Sequence, residues 1–263
     1  LTNVPQAHCY DGSLMRAPAP GFTPKTLTFL RALKRNNRRE WFHERRADYD
    51  QHVHAPMVAV VEQLARDLPR VAPDVVADPK VSMFRPWRDT RFSANKAPLK
   101  TNVAAVFPHR ALGRMQGAGL YFEVSTESVW IGGGLYAPDA AMLHAVRQHI
   151  ADHHRTFARI VGAPAFTTLL GSVQGTASTR MPRGFDAAHP AAELLRHKQF
   201  LAVREEAPAF AARPDFYEHL LATFAAMAPF VTFLNAPIVE QRRRLDRDPL
   251  LAERPSPGRR RPA

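Results

Sequence analysis

Cysteine is almost absent: Cys9 is the only one in 263 residues. A lone thiol cannot close a disulfide within its own chain, nor can it build a zinc centre from cysteines. This excludes the disulfide-stapled scaffolds and fits a reducing compartment, so a cytoplasmic protein is expected. Acidic residues are also scarce, 24 against 36 lysines and arginines, a formal balance of +12. Such a surplus points to anionic partners, either small molecules or nucleic acid. Asp11 and Arg16 interrupt the start of the chain, so a secretory signal is not expected. The common catalytic signatures are missing too. The sequence has no G-x-S-x-G elbow, no H-E-x-x-H and no P-loop.

What is present describes an ordinary folded chain. Hydrophobic residues make up 45% and charged residues 23%, which is enough for one large domain with a real core. One stretch mimics a membrane span. No Asp, Glu, Lys or Arg lies between Glu218 and Glu240, and Arg242–Arg244 follow. Yet His219, Thr223, Thr232 and Asn235 are polar, and Pro229 and Pro237 interrupt it. Phe216, Leu220, Phe224, Met227, Val231 and Leu234 recur at helical spacing, as one buried face does, so a core helix and no membrane partner are expected.

The organisation reads as helices, then strands, then helices. Residues 1–20 carry Pro5, Pro18 and Pro20 without periodicity and are expected to be a flexible leader. Thr23-Pro24 opens a helix with a stripe of Leu27, Leu30 and Leu33 beside Phe29. A second helical segment is expected near 39–48, and a third from Pro56 with Met57, Val60, Val61, Leu64 and Leu68 on one face. Strands are expected at 81–85, 101–107, 120–125, 129–131 and 200–204, with a short one near 177–180. Helices fit 138–151, much of 153–170, a short piece ending at 194–196, and a long one after Pro214. The fold class is therefore α+β, a mainly antiparallel sheet flanked by N-terminal and C-terminal helices, in a single domain over 21–238. Residues 239–263 are expected to be a basic, disordered tail. From 240 onward eight arginines face four acids, a balance of +4 that leaves +8 for the rest.

The sharpest local feature lies at 80–100. Lys80, Arg85, Arg88, Arg91, Lys96 and Lys100 face one acid, Asp89, with Phe84, Trp87 and Phe92 interleaved. Arginine forks match phosphate and carboxylate oxygens, and the rings can pack beneath them. A solvated basic loop, or an internal ion-pair network around Asp89, would give the same pattern. Arg180, Arg183 and Lys198 form a second basic patch around the Pro182-Arg183-Gly184 turn. Gly132-Gly133-Gly134 follows a strand and reads either as an anion cradle or as close backbone packing. Asp89 and Glu123 are the candidate acid–base pair, or else groups that orient arginines. Asn36, Asn37, Arg39 and Trp41 are either a site rim or a turn between helices. His149 and His153 stand four apart on one helix, but with no third ligand evident no metal site is expected.

Several of these pieces together resemble the DUF2461 family. Its opening is matched by Phe22-Thr-Pro, Leu27, Phe29-Leu30, Asn36-Asn37, Trp41-Phe42 and Tyr49. Its central signature is matched by Asp78-Pro79-Lys80, Phe84-Arg85, Arg88-Asp89, Arg91-Phe92-Ser93, Lys96, Pro98 and Lys100. Gly132–Gly134, Pro182-Arg183-Gly184 and His189-Pro190 continue the likeness, which covers roughly 22–236. The resemblance implies that the Arg/Lys cluster belongs to a family pattern; it supplies no substrate, cofactor or catalytic residue. Leu99 departs from it, because the family usually has Tyr before the final Lys of the cluster.

Three functions are open on these grounds. The first is binding of a phosphorylated or otherwise anionic ligand through Arg85, Arg88, Arg91, Lys96, Lys100 and Arg183. The second is an enzyme acting on a phosphorylated metabolite or nucleotide. The third is non-specific nucleic-acid binding.

Overall fold

The computed structural model describes residues 19–247. Helix α1 (Pro24–Arg35) starts as its sequence dictates. Pro24 needs no N–H partner at the first turn, and the Thr23 amide donates to Thr26 Oγ1 at 3.3 Å. Leu27, Phe29, Leu30 and Leu33 are all buried. The next helical stretch is more broken than expected: α2 (Arg39–Glu44), α3 (Arg46–Tyr49), a π-helical turn (Asp50–His54) and α4 (Ala55–Val71). Pro56 accounts for the π-turn. It has no amide to give to the His52 carbonyl four residues back, so the helix widens by one residue at that place. The buried Thr26 hydroxyl of α1 donates to that carbonyl instead, at 2.6 Å. Met57, Val60, Val61, Leu64 and Leu68 then line the core side of α4.

The sheet is antiparallel throughout, in the order β1 (Asn102–Phe107), β2 (Gly119–Ser125), β3 (Val129–Leu135), β4 (Phe200–Glu206). Between β3 and β4 come α6 (Ala140–Asp152), α7 (His154–Val161), α8 (Pro164–Leu170) and α9 (Ala192–Leu195). The long helix α10 (Phe216–Arg247) follows. Strand alternation sends Val103, Ala105, Phe107, Leu120, Phe122, Val124, Ile131 and Phe200 to one face, all buried. Helix α10 packs on that face, with Phe224 5.4 Å from Phe107 and Phe216 6.2 Å from Phe122 between ring centres. Its expected stripe, Phe216 to Leu234, is buried, so this apolar helix is spent on the core. Asn235, also buried, donates to the Ala118 carbonyl at 2.9 Å and accepts from its amide at 2.8 Å. That two-way bond ties the approach to β2 onto α10.

Four expectations change. Residues 81–85 are not a strand. Asp78 caps a short helix, α5 (Pro79–Ser82), by accepting from the Lys80 and Val81 amides. Residues 83–88 then run beside 98–105, touching through isolated bridges at Met83–Ala105 and Trp87–Leu99. Pro86 has no amide, and the ladder cannot become continuous across it. Near 177–180 only Ala177 bridges, to His197. The triple glycine lies inside β3 and not in a loop after it. A Cβ on Gly133 would stand 2.1 Å from the Gly119 carbonyl oxygen, so close backbone packing is the reason for glycine there. Finally, α10 continues to Arg247, beyond the boundary expected at 238. Arg244–Glu240 and Arg242–Asp246 pairs at helical spacing support the extra turns, and arginines suit a helix C-terminus. The rest of the expected tail, and the expected leader up to residue 18, lie outside the described residues.

Candidate functional site

The second face of the sheet carries the site. Asn102, Ala104 and Val106 of β1 share it with Tyr121 and Glu123 of β2, and with Trp130, Gly132 and Gly134 of β3. Leu201 and Val203 of β4 complete it. The small residues leave a hollow along the strands, walled by Phe84, Met115, Trp130 and Tyr136, with a volume of about 430 Å³. A polar basin of about 410 Å³ adjoins it, sharing Phe84 and Tyr121 and lined further by Arg88, Asp89, Lys100 and Asn102. The result is one groove, apolar at one end and cationic at the other.

The backbone under Lys100 is tightly held. Asn37 donates to the Leu99 carbonyl at 2.9 Å and accepts from the Leu99 amide at 3.0 Å, as a neighbouring strand would. The Lys100 amide donates to the Pro86 carbonyl at 2.7 Å. Asn37 lies in the turn between α1 and α2, and its contacts give it a role that neither reading named, a clamp on the site's backbone. Leu99 itself is 1% exposed, so at this departure from the family pattern the side chain serves packing.

Lys100 Nζ lies 4.6 Å from the Phe84 ring centre, and the Arg114 guanidinium lies 4.1 Å from it. Arg114 is fixed by donating to the carbonyls of Ser82 (3.1 Å) and Met83 (3.3 Å). Burial lowers the Lys100 pKa below the ordinary lysine value; the charges of Arg114 and Arg85 push the same way, and Glu123 opposes them. Two cations on one ring, with a third in range, make this end of the groove cationic, with Glu123 as the opposing charge. Beside them Glu123 Oε2 accepts from Tyr121 at 2.6 Å and from Asn102 at 2.5 Å. Burial, then the bond to Glu123 and its charge, raise the Tyr121 pKa far above the ordinary tyrosine value, so its hydroxyl stays a donor.

The expected site residues divide. Arg85 is exposed, and its charge reaches Lys100 and Asp89. Arg88 lines the basin but donates to the Ala97 carbonyl (3.3 Å) and Ser93 Oγ (3.4 Å), which holds its own loop. Arg91 closes a two-pronged pair with Asp89 at 3.0 and 2.7 Å, and that pair holds Asp89 below its ordinary carboxylate value. Lys96 donates to the Thr90 carbonyl at 3.1 Å. Arg183 is exposed and lines neither the groove nor the basin. The cluster is therefore in part a network that shapes the 88–97 loop, with Lys100 lining the groove's cationic end and Arg85 an exposed charge that acts on it.

Sequence reasoning missed Arg114, Met115, Tyr136 and Asn102. Only the strand alternation held a signal, because it sets Tyr121 and Glu123 on the face away from Phe122. His149 and His153 have ring centres 4.6 Å apart, and His149 lies 4.4 Å from Phe233, against the core. Among the described residues no three His, Cys, Asp or Glu side chains converge as a metal set.

No curated protein and no solved structure matches the chain. A family profile does, over residues 25–233, and it spans α1, the clamp, the groove and most of α10. With the sequence likeness, that match places the chain in the family described as "Conserved hypothetical protein (DUF2461)".

Proposed function

We propose that the protein binds an anionic ligand with a flat apolar body in the groove on the open sheet face. One observation carries this reading. The described residues expose five large apolar side chains, and three of them, Met115, Trp130 and Tyr136, edge this single groove. Clustered exposed apolar surface beside a few converging polar groups is the usual form of a small-molecule site. At the cationic end Lys100, with Arg85 and Arg114 near it, supplies charge for a phosphate or carboxylate. Phe84 and Tyr121 join the two ends, so a ligand that spans them would meet ring faces and then cations.

The test uses the full chain and a panel of aromatic carboxylates and nucleoside monophosphates, read by thermal shift and then by titration calorimetry. A native-state ligand raises the melting temperature by mass action. The expected result is a hit whose affinity falls about tenfold or more in Lys100→Gln and in Trp130→Ala, the size of one lost charge-assisted bond or ring contact. A hit unchanged in both variants would overturn the reading.

A second reading rests on Glu123. Held in place by Tyr121 and Asn102, its carboxylate lines the hollow where it would move a proton for a bound phosphorylated substrate, with Lys100 offsetting developing charge. Turnover of a calorimetric hit that is lost in Glu123→Gln, with binding retained, would support it over binding alone.

A further inference from the structure

A second cationic site lies away from the groove. The bridge between Ala177 and His197 holds two segments side by side. It is flanked by bonds from the Ser178 amide to the Arg196 carbonyl (2.8 Å) and from the Lys198 amide to the Thr176 carbonyl (2.7 Å). Arg147 reaches this platform from α6, donating to the His197 carbonyl at 2.8 Å. Together Arg147, Arg180 and Lys198 line a depression of about 540 Å³ with Ser178 and Thr179 and without a carboxylate. No residue lining it lines the groove or the basin.

The three cations lack what normally offsets such a gathering. None belongs to an ion pair among the described residues. Arg147 is half-buried; its only side-chain acceptor is one backbone carbonyl, and its Nε is buried with no acceptor at all. Burying a guanidinium without a counter-charge is costly, and bringing two further cations to it adds repulsion. Both costs fall when an oxyanion occupies the depression. Arginine forks and a lysine, with serine and threonine hydroxyls beside them, suit a tetrahedral group with oxygens on every side. We infer that Arg147, Arg180 and Lys198 form a binding site for a phosphoryl group, separate from the groove and independent of what the groove binds.

The probes are inorganic phosphate and glycerol phosphate, added to the full chain and compared with sodium chloride at matched ionic strength. At a hundredfold excess over the dissociation constant, a chain of this size should melt about 5 °C or more higher. Arg180 and Lys198 are exposed, so Arg180→Gln with Lys198→Gln leaves the core intact while weakening binding about tenfold or more. Phosphorus NMR line broadening of the probe gives a second readout that does not depend on stability. Loss of both signals in the double variant, with both kept in Lys100→Gln, is the expected result. A response to inorganic phosphate alone marks a free-anion site, whereas a response to both probes marks a phosphate-ester site; either supports the inference. It is overturned if phosphate does no more than chloride, or if the signals persist in the double variant. Loss of the signals in Lys100→Gln alone would also overturn it, by assigning phosphate to the groove.

Discussion

Replacing Thr26 with valine tests whether α1 really completes the helix that Pro56 leaves unfinished. The exchange keeps the branched shape and removes only the hydroxyl, which is buried, donates to the His52 carbonyl at 2.6 Å and accepts the weaker bond from the Thr23 amide at 3.3 Å, a loss common to both backgrounds below. A neutral hydrogen bond of this kind is worth about 0.5–1.5 kcal/mol, and a carbonyl left short of a donor raises the cost to about 1–3 kcal/mol. For a chain of this length that corresponds to a melting point lower by roughly 2–10 °C. Magnitude alone would not identify the cause, since many core changes cost as much. The second substitution, Pro56→Ala, does. Alanine restores an amide four residues after His52, so the helix itself can satisfy that carbonyl. Thr26→Val should then cost about 1 kcal/mol less in the Pro56→Ala background, a coupling readable by a double-mutant cycle in urea with unchanged m-values. Equal costs in the two backgrounds would refute the argument that the threonine stands in for the missing amide.

Two further predictions concern the core and the sheet. Asp67 is 7% exposed and accepts from Gln63, Tyr217 and Arg70. The Gln63 and Tyr217 bonds lead in holding its pKa below the ordinary aspartate value. The folded state therefore binds this proton less readily than the unfolded chain, so the stabilisation is full above the ordinary value and fades as pH falls through the lowered one. The stability gap between the native chain and Asp67→Asn, read by urea unfolding, should be largest near neutrality and shrink towards pH 3; a gap that does not change with pH would contradict it. Gly133→Ala places a methyl group 2.1 Å from the Gly119 carbonyl and 3.0 Å from Met227 Sδ. Overpacking of this kind costs about 1–3 kcal/mol, and an unchanged urea midpoint would show that β2 and β3 separate more easily than their pairing implies.

Periodicity carried the parts of the fold that depend on burying one face. The Phe216–Leu234 stripe and the α4 stripe both describe how a chain hides apolar surface, and each is found where the sequence placed it. The failures occur where one residue changes the backbone's hydrogen bonding. Pro56 widens a helix, Pro86 breaks a ladder and Asp78 captures two amides, and none of these alters the hydrophobic pattern. The groove was legible only in part for a related reason. A run of basic residues shows charge, but not which charges answer one another. Arg91 answers Asp89, and Arg88 and Lys96 answer backbone carbonyls of their own loop, whereas Lys100 meets Arg114 from a segment with no signal of its own.

The order of the sheet also sets the order in which the molecule can be made. Strands β1 to β3 pair with near neighbours and can form as a meander soon after synthesis. The open edge of β3 must then wait through α6, α7, α8 and α9 before β4 arrives to cover it. The apolar face waits longer still, because the helix that seals it follows β4. About a third of the chain, from Ile131 to the start of α10, is therefore added with Phe107, Phe122 and Ile131 uncovered, a state prone to wrong pairing. The sheet's apolar face therefore closes in two stages, the meander first and its cover only once α10 has emerged.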